Sequence, residues 1–195
     1  MAGDTATSLP IQLRKLGYET NYWYGGSLSH GNFNHFAPAC GFNHSYSGTD
    51  ICGAKAPRSW VGVYDHVFLN KVADMIQERS DDVPQFHFVY TTSNHGPYKM
   101  PLKDLGFDAK KIMNVQPDVL KEKIIQKALG TFWYADRAIN DFIQKMKEAY
   151  PDSLFIVTGD HAISAGITAY ILHEKRIYFP GTSFAGPHVP SSRTR

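Results

Sequence analysis

Two adjacent side chains near the end of this sequence are suited to binding a divalent metal ion. Asp160 and His161 follow Gly159, directly after the apolar residues 154–158 (LFIVT). A carboxylate beside an imidazole is a suitable pair of ligands for zinc or manganese, and the glycine lets the backbone turn sharply off a strand. A helix-capping aspartate followed by a surface histidine would give the same dipeptide, so the pair alone leaves both interpretations open.

A third candidate, His95, lies in a turn rich in Gly, Pro and Asn within residues 91–98 (TTSNHGPY). From such a turn an imidazole can contact an anionic ligand or donate a proton, although an isolated loop histidine is often structural. Hydroxyl groups precede it at Thr91, Thr92 and Ser93. Because no Gly-x-Ser-x-Gly turn accompanies them, they are not predicted to act as nucleophiles.

The elements that must position these residues are predicted to alternate between helices and strands. Helices are predicted over residues 9–16, capped by Ser8, over 64–79 and from 117 to about 149, and strands over 19–24, 85–92 and 154–158. This alternation is typical of a layered α/β fold with a largely parallel sheet, in which ligands bind at the carboxyl ends of the strands. If the three strands are parallel and adjacent, Tyr24, His95 and Asp160 meet at one edge. No repeat or linker divides residues 1–195, so one domain is expected.

Composition excludes some classes of function. The 195 residues carry 20 Lys and Arg against 18 Asp and Glu, which is too little basic excess for a nucleic-acid-binding protein. Residues 20–49 contain no charged side chain other than histidine, but their many Gly, Ser, Asn and His residues argue against a membrane span. We expect an aromatic, polar loop of a ligand site there and a soluble chain. Cys40 and Cys52 are compatible with either one disulfide or two free thiols.

Several segments, in this order, resemble the sulfatase-like membrane phosphoglycerol transferases, a group within the alkaline phosphatase superfamily that includes lipoteichoic acid synthase. These segments are residues 9–20 (LPIQLRKLGYET), 24–26 (YGG), 41–42 (GF), 60–65 (WVGVYD), 91–98 (TTSNHGPY), 134–139 (YADRAI) and 158–161 (TGDH). The resemblance covers about residues 8–180. It implies an incomplete sulfatase-like catalytic domain with a layered α/β/α fold.

The resemblance also assigns roles to individual residues. Asp160 and His161 would be two ligands of a manganese or zinc ion whose further ligands lie outside this chain. His95 would contact the phosphate or the departing group, while Tyr24, His30 and Asn32 would belong to a substrate-binding loop. Lipoteichoic acid synthases carry Trp and Arg at the positions of Gly31 and Phe33 here. An arginine can clamp a phosphate in bidentate fashion, and this chain lacks it. Phosphoglycerol, phosphoethanolamine and sulfate therefore all remain open as the transferred group.

The expected function is therefore transfer or hydrolysis of phosphate or sulfate esters through a covalent intermediate. The family nucleophile would lie outside this chain, so the chain alone is expected to be inactive. The implied substrate is a phospholipid head group or an envelope glycan. The parent protein would be membrane-anchored with an extracytoplasmic catalytic domain. The alternative is a non-catalytic module that binds an anionic glycan or lipid head group.

Overall fold

The computed structural model describes residues 7–79, 82–111 and 123–160. Short 3₁₀ turns lie at His30–Asn32 and Ala109–Lys111. The helices and strands are, in chain order, α1 (Leu9–Lys15), β1 (Glu19–Tyr24), α2 (Phe33–Ala39), β2 (His44–Ser47), α3 (Gly48–Ile51), α4 (Asp65–Gln77), β3 (Gln85–Tyr90) and α5 (Lys123–Ala149).

The three strands form a parallel sheet in the order β2-β1-β3. Tyr24, the last residue of β1, lies opposite Ser47 on one side and Tyr90 on the other. The carboxyl ends of all three strands therefore lie at the same edge. The prediction that the segments after residues 24 and 90 meet there is confirmed, because β1 and β3 are adjacent and parallel.

Helices cover both faces of β1, which is why its residues from Thr20 to Tyr24 are all buried. Tyr22 and Tyr24 point to one face, where they pack against Ala37 of α2. Trp23 points to the opposite face and packs in the main core with α4. This arrangement confirms the predicted layered α/β/α fold with a parallel sheet.

Helices α4 and α5 pack against each other through apolar residues that recur at helical spacing. Val72 and Ile76 of α4 share the main core with Ala138 and Met146 of α5. The predicted start of α5 at residue 117 lies outside the described residues. Phe132 continues the helical spacing of the buried Ile125 and Leu129, but it is itself 48% exposed.

Two predictions of local structure are wrong. Residues 20–49 are not a loop beyond the predicted strand β1, since they also contain α2 and β2. Residues 154–158 are not a buried strand: Leu154 is 85% exposed and Ile156 is 80% exposed. An apolar, β-branched run becomes a strand only where a neighbour accepts its backbone hydrogen bonds, and within the described residues this segment pairs with no strand. Only part of it is shielded, at Phe155, which packs against the main core.

An irregular segment, residues 98–111, crosses the first half of α5. Leu102 and Phe107 occupy the space that a side chain at Gly130 would need: a Cβ there would lie 2.5 Å from Leu102 Cδ1 and 2.8 Å from the Phe107 ring. Phe107 also packs on Trp133 at 5.5 Å between ring centroids. Gly130 therefore gives this segment room to pack closely on the helix.

Cys40 and Cys52 are both free thiols. Among the helices within the described residues, none has the length and apolar character needed to cross a membrane.

Candidate functional site

Glycines pack tightly at the carboxyl edge of the sheet. The Gly25 N–H donates to the Tyr90 carbonyl at 2.9 Å, and the Gly25 carbonyl accepts from the Val63 N–H at 2.9 Å. A Cβ at Gly62 would lie 2.6 Å from the Gly25 oxygen, and a Cβ at Gly48 would collide with the same oxygen. Only glycine fits at these two positions, so the segments that follow β1 and β2 and residues 60–65 meet in backbone contact.

Asp65, the first residue of α4, holds the loop that carries His95. Its side chain is fully buried, and Oδ1 accepts hydrogen bonds from the N–H groups of Thr92 at 3.0 Å and Ser93 at 3.1 Å. The Asp65 N–H in turn donates to Ser93 Oγ at 2.9 Å. Burial raises the pKa of Asp65, and the hydrogen bonds from Thr92 and Ser93 partly oppose that rise. Asp65 Oδ2 is buried and has no hydrogen-bond partner within the described residues.

Tyr134 links α5 to the start of α4, beside Asp65. Its hydroxyl oxygen accepts from the His66 N–H at 3.0 Å and lies 2.6 Å from His66 Nδ1. Burial raises the pKa of Tyr134, so its hydroxyl stays protonated. Three segments that carry the family resemblance, residues 60–65, 91–98 and 134–139, are thus joined through Asp65 and the adjacent His66 by buried and partly buried hydrogen bonds. Sequence reasoning missed this set, because its partners are 27 to 68 residues apart along the chain.

His95 itself is exposed at the surface, as its predicted role requires. Its Nδ1 lies 2.7 Å from the Gly96 carbonyl oxygen. Because a carbonyl only accepts hydrogen bonds, Nδ1 carries a proton and donates it to this oxygen, and Nε2 is not used by this bond. The ring packs against Trp60 in an edge-to-face contact, with centroids 5.3 Å apart. Trp60 is 64% exposed and forms a wall beside His95 that sequence reasoning did not assign.

The predicted substrate loop divides into a buried and an exposed part. Tyr24 is only 4% exposed, and its ring packs on Phe33 at 4.6 Å and on Tyr90 at 5.4 Å. His30 and Asn32 begin and end the 3₁₀ turn just before Phe33, and both are exposed. Tyr24 therefore supports this loop from beneath, while His30 and Asn32 lie at the surface.

Asp160 reaches the carboxyl end of β3 although residues 154–158 are not a strand. The Tyr90 hydroxyl donates to Asp160 Oδ2 at 2.7 Å. Burial, together with the hydrogen bond to Asp160, raises the pKa of Tyr90 to about 12, so the hydroxyl is a hydrogen-bond donor at neutral pH. Tyr90 also contacts Tyr24 and Phe33, which connects Asp160 to the predicted substrate loop.

The predicted metal pair is described in part. Asp160 is a carboxylate of the kind that zinc and manganese bind, whereas His161 lies outside the described residues. Within residues 7–79, 82–111 and 123–160, no group of three or more His, Cys, Asp or Glu side chains is arranged to hold a metal ion. Of the predicted metal pair, only Asp160 lies within the described residues.

The fold and this edge define a layered α/β protein of the alkaline phosphatase type. The chain belongs to the sulfatase family, whose model matches residues 2–187. This finding confirms the resemblance inferred from the sequence and identifies the chain as part of an enzyme family.

Solved structures agree with this assignment. The lipoteichoic acid synthase LtaP from Listeria monocytogenes is 25% identical, with a TM-score of 0.62, over 76% of this chain and 35% of its own. A protein in the alkaline phosphatase superfamily from Vibrio parahaemolyticus is 26% identical, with a TM-score of 0.53, over 72% of this chain and 31% of its own. The C-terminal periplasmic domain of EptC from Escherichia coli, solved with zinc, shares the fold at 15% identity and a TM-score of 0.50, over 73% of this chain and 39% of its own. The chain thus spans about a third of the length of each.

Proposed function

We propose that this chain is part of a metal-dependent catalytic domain that transfers phosphoglycerol or phosphoethanolamine, or hydrolyses sulfate esters, through a covalent intermediate. The domain is partial, the nucleophile lies outside the chain, and the substrate is a phospholipid head group or an envelope glycan. The parent protein is anchored in a membrane, with this domain on the extracytoplasmic side.

The observation that carries the proposal is the joint attachment of Asp160 and His95 to the end of β3. Asp160 is bonded to Tyr90, the last residue of that strand, and the loop held by Asp65 follows it directly. A carboxylate and an imidazole, which are groups that bind metal ions and phosphate, therefore belong to one edge of the sheet. In this proposal Asp160 and His161 hold the metal, and His95 contacts the phosphate or departing group through Nε2. His30 and Asn32 contact the remainder of the substrate, with Tyr24 supporting their loop.

A divalent ion held at Asp160 would stabilise negative charge on the transferring group and lower the pKa of the nucleophile. This chain's own contribution is to orient Asp160 through Tyr90 and to fix the tautomer of His95 through the Gly96 carbonyl. Within this family assignment, manganese and zinc both fit a carboxylate and imidazole pair.

Metal binding tests the proposed role of Asp160. Titration calorimetry of the purified chain with Mn²⁺ and Zn²⁺ is expected to show weak binding, since two ligands rarely hold an ion tightly. Asp160→Asn is expected to abolish that binding. Asp152→Asn, which removes an exposed carboxylate from the same segment, is expected to leave it unchanged. A tight stoichiometric site, or weak binding that Asp160→Asn does not affect, would contradict the assignment.

Turnover tests the proposed place of the nucleophile. The chain alone is expected to release no p-nitrophenol from p-nitrophenyl phosphate or sulfate, with either metal present. Robust hydrolysis that Asp160→Asn abolishes would show that the chain contains a complete active site, and the proposal of an external nucleophile would then be wrong. A longer gene product that includes an upstream Thr, Ser or Cys nucleophile is expected to be active.

A further inference from the structure

A concentration of unpaired lysines lies where residues 98–111 cross α5. Residues 99–111 and 123–132 contain six lysines and two aspartates, a net charge of +4 against +2 for the whole chain. All six lysines are exposed, and none forms an ion pair with another described residue. We call this set the basic face; it consists of Lys99, Lys103, Lys110, Lys111, Lys123 and Lys127.

The two helix lysines, Lys123 and Lys127, lie on the side of α5 that residues 98–111 cross. Lys123, Lys127 and Gly130 are spaced by four and three residues, so they lie on one side of α5. Leu102 and Phe107 cover Gly130 on that same side. The segment that carries four of the lysines thus packs on the same side of α5 as Lys123 and Lys127, although the two stretches are separated along the chain.

We propose that the basic face binds the surface of an anionic phospholipid membrane. The charge is carried by lysines alone, with no arginine in either stretch. Lysine ammonium groups are mobile point charges that suit a diffuse negative surface, whereas a specific phosphate site favours the bidentate arginine fork. The half-exposed Ile124 lies between Lys123 and Lys127 in sequence and adds apolar contact at the same place. A membrane surface fits this combination better than a nucleic acid, because the two aromatic residues of these stretches are poorly placed to stack on bases beside the lysines. Phe107 packs on Trp133 and against Gly130, and Phe132, five residues after Lys127, lies on a different side of α5.

Vesicle co-sedimentation of the full 195-residue chain tests the proposal. The chain is expected to sediment with phosphatidylcholine vesicles that contain phosphatidylglycerol and to stay in solution with pure phosphatidylcholine. Binding is expected to weaken as salt is added, because the contact is electrostatic. Lys110→Gln combined with Lys111→Gln is expected to weaken binding by about fivefold per lysine removed. The matched control, Lys15→Gln with Lys55→Gln, removes the same charge from exposed positions elsewhere and is expected to change binding much less.

Four outcomes would overturn the proposal. Two concern the vesicles directly: no sedimentation of the chain with anionic vesicles, or equal weakening of vesicle binding by both double variants. The other two are displacement of the chain from vesicles by free glycerol 1-phosphate, or by a short RNA while the vesicles are in excess. Circular dichroism of each variant verifies that these surface changes leave the fold intact. The inference stands apart from the proposed catalytic function. Asp160→Asn is expected to abolish metal binding while leaving vesicle binding unchanged. Failure of the membrane-binding proposal is therefore distinguishable from failure of the proposed catalytic function.

Discussion

Removal of the Asp65 carboxylate should release the loop that carries His95. Asp65 Oδ1 is the acceptor for the N–H groups of Thr92 and Ser93, and these residues are only 6% and 4% exposed. In Asp65→Ala both N–H groups lose their acceptor in a buried environment. Each buried, unpaired donor costs about 1–3 kcal/mol. Loss of a negative charge at the start of α4 costs about 0.5 kcal/mol more.

Relief of the buried charge offsets part of this loss, because burial disfavours the ionised carboxylate. We therefore expect Asp65→Ala to lower the free energy of unfolding by about 3 kcal/mol. Asp65→Asn keeps a carbonyl oxygen for both N–H groups, but it places an amide donor where Oδ2 has no partner within the described residues. Its expected cost is about 1 kcal/mol. The difference of about 2 kcal/mol between the two variants measures how strongly the side-chain acceptor holds the loop.

Urea unfolding followed by circular dichroism gives the two free energies, and amide hydrogen exchange at Thr92 and Ser93 reports on the loop itself. Exchange at both amides should accelerate in Asp65→Ala and stay slow in Asp65→Asn. Asp74→Asn is the matched control, since Asp74 is an exposed carboxylate on the same helix that pairs with Lys145 at 2.7 Å. An exposed pair of this kind contributes at most about 1 kcal/mol. Equal losses in Asp65→Ala and Asp65→Asn, with no change in amide exchange, would refute the proposed hold on the loop.

Three further predictions concern stability. Gly130→Ala should lower the free energy of unfolding by about 1 kcal/mol in urea, because crowding against Leu102 and Phe107 outweighs the gain in helix propensity; a rise would show that residues 98–111 do not pack there. Asn21→Leu should raise the free energy of unfolding by about 1–2 kcal/mol, because both polar side-chain atoms of the fully buried Asn21 lack partners within the described residues. A fall in this free energy would point to a buried water that binds them. The raised pKa of Asp65 means that the folded state holds its proton more tightly, so this group contributes stability at acid pH that is lost as pH rises through the folded-state value. Asp65→Asn should therefore fall further below the wild type at about pH 4 than at pH 7, and a constant difference would contradict the raised pKa.

The fold could be predicted in outline because its central elements carry strong local signals. The residues of β1 and β3 are aromatic and β-branched, and α4 and α5 repeat apolar residues at helical spacing, so composition and period alone identify them. Helix α2 has no such signal: it starts after Asn32, whose φ is +59°, and contains Pro38. Strand β2 (HSYS) is polar, and it is a strand because it pairs with β1. Both elements depend on tertiary contacts, which a window of sequence does not reveal.

The candidate site shows the same division between local and long-range information. Asp160 and His95 could be named from their motifs, because each follows a predicted strand. The roles of Asp65 and Tyr134 could not, since an aspartate at a helix start and a tyrosine on an apolar stripe each have an ordinary structural explanation. Their function as supports follows only from contacts to Ser93 and His66 across the fold. A residue that acts by holding another residue leaves no local pattern.

The prediction of a strand at residues 154–158 is wrong, and this changes the explanation of how Asp160 is positioned. The sequence placed Asp160 by assuming that these residues pair into the sheet, yet the described segment is exposed and Asp160 still meets Tyr90. A side-chain hydrogen bond, not strand pairing, therefore fixes the carboxylate at the edge. Because Tyr90 belongs to β3 and the loop carrying His95 continues from β3, any shift of this strand would move the proposed metal ligand and the proposed phosphate contact together. The candidate site of the described residues is thus centred on the end of β3, which is supported from one side by Asp65 and from the other by the aromatic contacts of Tyr24 and Phe33.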